Sequence, residues 1–445
     1  MKLLFVIPEY PPHSGGGIAT FYRHFLPELA KQGHQVHAVV GSALSSAFPA
    51  YKETERLTIE ALDLDAIARN LKRFDCYQAL PELQRHLAAA WTAWEQTKGG
   101  QGYDLIETSD WGLLFVPWIV SSQGPPTVVQ LSASIGQIDF YDPDSDRQLQ
   151  GNLVRLIESN LLALADELQT YSQDNAAAWQ TLIQRDVQYI APALPSHEKT
   201  QPSDSSERGL VVGRIQYWKG PTVLCEAIAK LGDSAPIVDW IGRDTLYPKT
   251  QTSMSAYLEK TYPQSWPSNV RPLGTFSPSE TQQHQSVAAF SVIPSLWDVF
   301  NFTCAEAMAQ GQVVLCSHGA GAARLITNGV NGFTFPAGDS EALAQRLSRV
   351  TSLSTQEKER ISLAARKTIQ EQLSPQKTAM QRIEAYEKLL QKGRHPQRPS
   401  NWLLKAVSPD IPLARPLAFL DGLPLKALSQ YVIKRSLKKT MGFVS

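Results

Sequence analysis

The chain opens Met1-Lys-Leu-Leu-Phe-Val-Ile7-Pro8-Glu-Tyr-Pro-Pro-His-Ser14-Gly15-Gly16-Gly17-Ile18, and this stretch decides the class of fold. Leu3 to Ile7 is a continuous apolar run, the mark of a strand buried on both faces of a parallel sheet. Pro8 ends it. Beyond the glycines, Ile18, Phe21, Phe25 and Leu29 recur at helical spacing, and Gly33 is a natural stop. Pro27 inside that stretch predicts a kink or a short helix. Strand, glycine turn and helix make the first unit of a doubly wound α/β fold. Successive glycines there let backbone N–H groups approach a phosphate, and the helix N-terminus adds a positive dipole; a plain flexible turn is the other reading. The run does not fit GxGxxG, and no acid follows a second strand at the dinucleotide spacing, which argues against a nicotinamide dehydrogenase.

The alternation continues outward from this unit. Strands are expected at Val36–Val40, Leu105–Thr108, Thr127–Leu131, Glu167–Tyr171 and Val187–Ile190, with a mostly helical insertion over about 50–100. Residues 191–208 are rich in Pro and Ser and read as a linker. A second series follows at Leu210–Val212, Ile237–Ile241, Val270–Leu273, Ala288–Ile293, Val313–Cys316 and Phe333–Phe335, closed by helices near 340–391. The expected architecture is α/β: two Rossmann-like doubly wound parallel-sheet domains, 1–190 and 209–375, facing across a cleft, with ligands at the C-terminal ends of the strands.

Composition narrows the function. At 445 residues the chain suits two or three domains, and 43% hydrophobic with 19% charged residues fits a soluble globular enzyme. Lys+Arg and Asp+Glu both number 42, so no global charge points to nucleic acid. Residues 401–445 carry seven basic residues (Lys405, Arg415, Lys426, Lys434, Arg435, Lys438, Lys439) against Asp410 and Asp421, a basic tail of net +5. Its last part mixes apolar and basic residues and reads either as a solvated terminal helix or as a weak peripheral contact with an anionic membrane. Four scattered cysteines without CxxC read as reduced thiols in a cytoplasmic protein. The apolar run before Pro8 is too short for a signal peptide, and no stretch of about 18 apolar residues exists.

Chemistry concentrates in the second half. Gly213-Arg214-Ile-Gln-Tyr-Trp-Lys219-Gly220 brackets a strand-to-helix turn with two cations, a place where a diphosphate would gain charge-assisted bonds. A solvated first-turn lysine is the alternative, although a cation at a helix N-terminus opposes the dipole. Ser295-Leu-Trp-Asp298-Val-Phe300-Asn301-Phe302-Thr-Cys-Ala-Glu306-Ala-Met-Ala-Gln-Gly311 places two carboxylates eight positions apart, at a strand tip and a helix start, suited to holding sugar or ribose hydroxyls. Thr303-x-x-Glu306 also has the form of a capping box, and Asp298 that of a turn residue, so both readings stand. Asp142-Pro-Asp144-Ser-Asp146 fails as an EF-hand because Arg147 and Leu153 occupy positions six and twelve, and reads as a solvated loop. No histidine spacing suggests a metal, and His13 reads as a surface residue. No metal or other cofactor is expected.

Taken in order, four elements resemble the retaining glycosyltransferases of the GT-B fold, family four. They are Pro8-x-x-Pro-Pro-x-x-Gly-Gly16-Gly17, Gly213-Arg214-x(4)-Lys219-Gly220, Pro294-Ser295-x-Trp-Asp298-x(7)-Glu306-Ala-Met-Ala-x-Gly311 and Asn328-Gly-x-Asn-Gly332-Phe. A looser match is Glu158…Ala165-Asp166…Ser172. The resemblance, over roughly 1–390, implies a retaining hexosyltransferase that moves a sugar from a UDP- or GDP-sugar to a hydroxyl of a glycan, lipid-linked or small-molecule acceptor, without metal. Arg214 and Lys219 would bind the donor diphosphate and stabilise it as it leaves. Gly16 and Gly17 would let the acceptor domain close over it, Glu306 would hold the ribose, and Asp298 the transferring sugar, beside the backbone of Phe300, Asn301 and Phe302. It also implies a helix over 376–400 crossing back to the first domain. Three positions depart from the family pattern: Asp298 replaces the usual Glu, Ser132 and Ser134 stand where a histidine is common, and Ala320-Gly-Ala-Ala-Arg324 ends in a cation where the family has Glu. These departures motivate a second class of function, a catalytically weak binding or scaffold subunit of a glycan-assembly complex.

Overall fold

The computed structural model describes residues 1–13, 15–43, 45–121, 123–141, 149–196, 207–395, 398–409 and 425–440. The first sheet comprises β1 (Lys2–Ile7), β2 (Gln35–Val40), β3 (Tyr51–Thr54), β4 (Leu57–Ala61), β5 (Leu105–Ser109), β6 (Thr127–Gln130), β7 (Glu167–Thr170) and β8 (Gln188–Tyr189). They lie in the order β3-β4-β2-β1-β5-β6-β7-β8, and only β3 runs antiparallel to its neighbour. Leu3 to Ile7 are at most 1% exposed, as a strand covered on both faces must be. The second domain holds β9 (Gly209–Val212), β10 (Val238–Ile241), the short pair β11 (Leu246–Tyr247) and β12 (Thr252–Ser253), then β13 (Val270–Gly274), β14 (Phe290–Ile293), β15 (Val314–Ser317) and β16 (Phe333–Phe335). Its six-stranded sheet is ordered β13-β10-β9-β14-β15-β16, with every pair parallel.

In each sheet the strand order reverses beside the first strand, between β1 and β5 and between β9 and β14. The crevice outside the C-terminal ends at such a switch point is where ligands sit in open α/β sheets. The glycine run follows β1, the Arg214–Lys219 turn follows β9, and the Asp298 loop follows β14. The topology therefore gathers the sequence motifs at the two switch points.

Two local expectations are corrected. Residues 51–61 are not helical but add β3 and β4 to the sheet edge; helices occupy Leu64–Arg73 and Pro81–Gln96. The helix Gly17–Lys31 runs on through Pro27 with Phe21, Tyr22, Phe25 and Leu26 buried along it, so it is not the short helix that Pro27 allowed for. The Pro/Ser-rich stretch lies largely outside the described residues. Before it, Leu194 N–H donates to Leu373 O (2.8 Å), so the two crossings between the domains run side by side.

The helix Pro375–Lys392 returns to the first domain. Its Arg382 is fully buried and donates from Nη1 to Glu107 Oε2 on β5 (2.8 Å) and from Nη2 to Gln130 Oε1 on β6. Tyr22 (2.9 Å) and Tyr386 also donate to the Glu107 carboxylate. The guanidinium lies over the rings of Phe21 (4.9 Å) and Phe25 (5.1 Å). The start of the basic tail is docked too: in the helix Asn401–Val407, Leu403 and Val407 are buried, and Val407 O accepts from Trp91 Nε1 (2.8 Å).

Candidate active site

The turn after β9 and the loop after β14 are pressed back to back. Gly220 has φ of 76°, and a Cβ there would stand 1.9 Å from Pro294 O. Only glycine meets both demands. Leu296 N–H donates to Trp218 O (2.9 Å), tying the loops together. Lys219 Nζ consequently lies 2.5 Å from Asp298 Oδ2 and 4.2 Å from the centroid of the Trp218 ring. The side chains of Lys219 and Asp298 are 18% and 15% exposed. Lys219 is therefore not a solvated first-turn lysine: a carboxylate and a ring face offset the unfavourable helix dipole.

Asp298 is fixed from several directions. Asn301 Nδ2 donates to Oδ2 (3.0 Å), Asp298 N–H donates to Gly319 O (2.8 Å), and Asp298 O accepts from Gly321 N–H (3.1 Å). Asn301, at φ 73°, caps the helix Phe302–Ala309 by accepting from Cys304 N–H (3.0 Å). That removes the capping-box reading of Glu306, whose carboxylate instead accepts from Thr20 Oγ1 (3.3 Å) on the first-domain helix. Burial raises the Glu306 pKa, and Thr20 and Arg23 pull it down. Phe300 and Phe302 are buried, packing on each other (5.0 Å) and on Tyr171 at the end of β7 (6.0 and 5.3 Å). A Cβ on Gly17 would approach the Phe302 ring to 3.1 Å, so the glycine run meets the second domain closely.

Loss of hydration lowers the Arg214 pKa; Glu9 raises it, Arg243 lowers it further, and Asp298 raises it. Glu9, Arg243 and Asp298 are thus the charged groups that bear on Arg214. Glu9, directly after β1, has its pKa raised by burial and lowered by Arg214 and by the Ala19 N–H. Tyr141 of the helix Ile135–Tyr141 stacks on Trp297 (4.6 Å, 6°), a further bridge across the cleft beside Asp298. Arg324 is paired across the domains. Its guanidinium meets Asp174 of the first domain through Nε (3.2 Å) and Nη2 (2.7 Å), with both side chains about half or more exposed. Such a pair contributes less than about 1 kcal/mol.

Asp110, just past β5, and Glu158, on the helix Leu149–Leu162, form a buried acidic pair. Asp110 accepts from Ser132 N–H (2.9 Å), while its Oδ2 and Ser132 Oγ have no hydrogen-bond partner. Glu158 accepts from Ile135 N–H (3.0 Å) and Gly136 N–H (2.9 Å). Burial pushes Asp110 up to about 7, against the Ser132 and Ala133 N–H groups, and Glu158 up to about 8, with Asp110 adding to the rise. Acids with raised folded-state pKa bind protons that the unfolded chain has already lost, so stability falls as pH rises from the ordinary carboxylate range to about 8. Thermal unfolding followed between pH 5 and 8 is expected to show a falling midpoint, with a shallower fall in Asp110→Asn; an unchanged slope in that variant contradicts the assignment.

The sequence motifs did not single out Glu9, Trp218, Asp110 or Tyr171. Glu9 lies inside the quoted Pro8-x-x-Pro-Pro element, and a carboxylate between a first strand and a glycine run is the signal that could have found it. His13 stacks on Phe48 (3.7 Å) at the surface of the first domain. The Asp142–Asp146 loop lies outside the described residues, and no cluster of possible metal ligands occurs among the described ones.

Comparison with known proteins agrees with this architecture. Residues 206–352 match the family "Glycosyl transferases group 1", and residues 16–187 match "Glycosyl transferase 4-like domain". D-inositol 3-phosphate glycosyltransferase of Corynebacterium glutamicum is 23% identical over 378 residues, spanning 76% of this chain and 85% of that protein. Sucrose-phosphate synthase from Thermosynechococcus elongatus has a similar structure (TM-score 0.68, 17% identity, 88% of this chain and 100% of that one). So does Anabaena HepE in complex with UDP-glucose (TM-score 0.62, 18% identity, 87% and 100%).

Proposed function

Since the chain belongs to the glycosyltransferases of the GT-B fold, matched by family in both of its halves, we propose that it transfers a hexose from a UDP- or GDP-sugar to an acceptor hydroxyl with retention of anomeric configuration, in polysaccharide or glycoconjugate synthesis. The observation that carries this reading is the Lys219–Asp298 contact at the β9/β14 switch point, with Arg214 in the same cleft and the glycine run of β1 opposite. HepE has been crystallised with UDP-glucose and starch synthase IV of Arabidopsis thaliana with ADP and acarbose, which fits a nucleoside diphosphate here.

In this mechanism Arg214 and Lys219 hold the diphosphate oxygens and stabilise the charge that grows as the glycosidic C–O bond breaks, the largest protein contribution to such a step. The acceptor hydroxyl forms its new bond to the anomeric carbon on the face the diphosphate leaves, and its proton passes to the departing diphosphate oxygen. Asp298 orients the sugar hydroxyls. Glu306 exchanges its bond from Thr20 for the ribose hydroxyls. No cofactor is required. Lys219 and Asp298 neutralise each other, so the pair separates when the donor enters between them. The acceptor, whether glycan, lipid-linked or small molecule, approaches from the first domain.

A scaffold role draws support from Ser132 and Ser134, which replace the usual histidine. Arg324 lends it none, because its charge is paired with Asp174. We place the protein in the cytoplasm, peripheral at the inner membrane face when the basic tail engages it. No helix among the described residues is long and apolar enough to cross a membrane. The helix Leu425–Thr440 exposes Leu425, Val432 and Ile433 beside Lys426 and Lys434, the mixture that binds an anionic surface. The test of the reaction class is proton NMR of the product formed from an α-linked nucleotide sugar. An α-glycoside is expected, and a β-glycoside contradicts the front-face mechanism.

A further inference from the structure

The turn after β9 has a twin. Val211-Val-Gly213-Arg214 is echoed by Trp240-Ile-Gly242-Arg243, the turn after β10. The register of the two strands sets Ile241 opposite Val212 and resumes beyond them with Asp244 opposite Ile215. Gly242 therefore stands opposite Gly213, and Arg243 opposite Arg214. Backbone bonds hold the turns in this alignment: Gly213 N–H donates to Ile241 O (2.8 Å) and Ile215 N–H to Arg243 O (3.0 Å). A Cβ on Gly242 would stand 2.0 Å from Gly213 O and 3.1 Å from Arg214 N, so only glycine lets the turns lie this close. Ile215 is buried in the core of the second domain, which turns its neighbour Arg214 to the opposite, exposed side. Arg243 is exposed as well. Adjacent strands lie about 5 Å apart, so two guanidinium side chains leave the carboxyl edge of the sheet next to each other.

By itself such a pair is a cost to the fold, because like charges set directly opposite one another repel. No hydrogen bond or ion pair joins either guanidinium to another described residue. Arg271 on β13 shows the contrast: it meets Asp239 of β10 through Nε (2.8 Å) and Nη2 (2.5 Å). Strand order puts β10 and β14 on opposite sides of β9, so Arg243 flanks Arg214 on the side away from the Asp298 loop. We infer that Arg243 is a further cation for the donor diphosphate, gripping it jointly with Arg214. The inference rests on the nucleotide-sugar reading above and adds a residue that sets donor affinity. A guanidinium fork takes phosphoryl oxygens two at a time. The two phosphoryl groups of a diphosphate supply oxygens for both forks and enough negative charge to cancel their repulsion, whereas a singly charged anion leaves one of them uncompensated. Arg243 binds the leaving group and does not touch the acceptor.

The experiment is titration calorimetry of UDP and, separately, inorganic pyrophosphate into the full chain, with Arg243→Ala and Arg243→Lys alongside and the thermal midpoint of each protein measured without ligand. Arg243→Ala is expected to bind both probes about tenfold more weakly than the unsubstituted chain. Its midpoint is expected not to fall, because the substitution removes a repulsion and breaks no bond within the protein. Arg243→Lys, which keeps the charge and loses the fork, is expected to lie between the two in affinity. Unchanged affinity in Arg243→Ala overturns the inference. So does weaker binding accompanied by a lowered midpoint, which makes Arg243 a structural residue, and so does binding by Arg243→Lys as weak as by Arg243→Ala, which assigns the loss to shape and not to charge. If neither probe binds the unsubstituted chain, the nucleotide-sugar reading itself fails and this inference with it, an outcome distinct from binding that is indifferent to Arg243.

Discussion

Arg382→Ala is expected to be the most destabilising single substitution outside the cleft. It removes the cationic partner of Glu107, whose carboxylate would remain fully buried beneath the helix Gly17–Lys31. Breaking a buried ion pair from one side costs about 3–5 kcal/mol. The hydrogen bonds from Tyr22 and Tyr386 would remain, but two neutral donors do not balance a charge isolated from water. The loss should appear as a large fall in the thermal unfolding midpoint of the first domain. Replacing both partners with apolar residues, Arg382→Met with Glu107→Leu, should recover much of it, since the apolar pair leaves no charge to solvate. An unchanged midpoint in Arg382→Ala contradicts the account of how the returning helix is anchored.

Asp298→Asn should act on turnover and spare the nucleotide. The substitution keeps the shape of the side chain, so its backbone bonds to Gly319 and Gly321 persist. It removes the charge that faces Lys219 and, in the proposed reaction, the sugar hydroxyls. Losing one such electrostatic contact at the transition state typically costs about 10²–10³ in kcat. Lys219 loses its competing carboxylate, so UDP should bind at least as well as before. Steady-state kinetics beside UDP calorimetry separates the two effects: a kcat fall without loss of UDP affinity is expected, and an equal fall in both counts against a sugar-facing role.

How much of this was legible in the sequence depended on the range of the interaction. The apolar runs located the expected strands to within a residue or two, because strands covered on both faces must be apolar throughout. Tyr51-Lys-Glu-Thr54 escaped notice because it is an edge strand with three of its four residues exposed. Thr303-x-x-Glu306 suggested a cap on local spacing alone, but Asn301 in the left-handed region took that place and freed Glu306 for Thr20. The departure at Arg324 was visible, while its destination on Asp174, 150 residues earlier, was not. Nothing in the sequence reading singled out Arg382, since its partners Glu107 and Gln130 are more than 250 residues distant. Periodicity and motif spacing report on neighbours along the chain, and these contacts are made by topology.

The central claim is that Lys219, together with Arg214, drives departure of a nucleoside diphosphate from a sugar in this cleft. The most direct measurement is nucleotide diphosphate release from a panel of UDP-, GDP- and ADP-sugars by the unsubstituted chain and by Lys219→Ala. The account predicts release from at least one donor and a fall of about 10²–10³ in that rate in the variant. Release at the same rate by Lys219→Ala, or none from any donor by the unsubstituted chain, would contradict it.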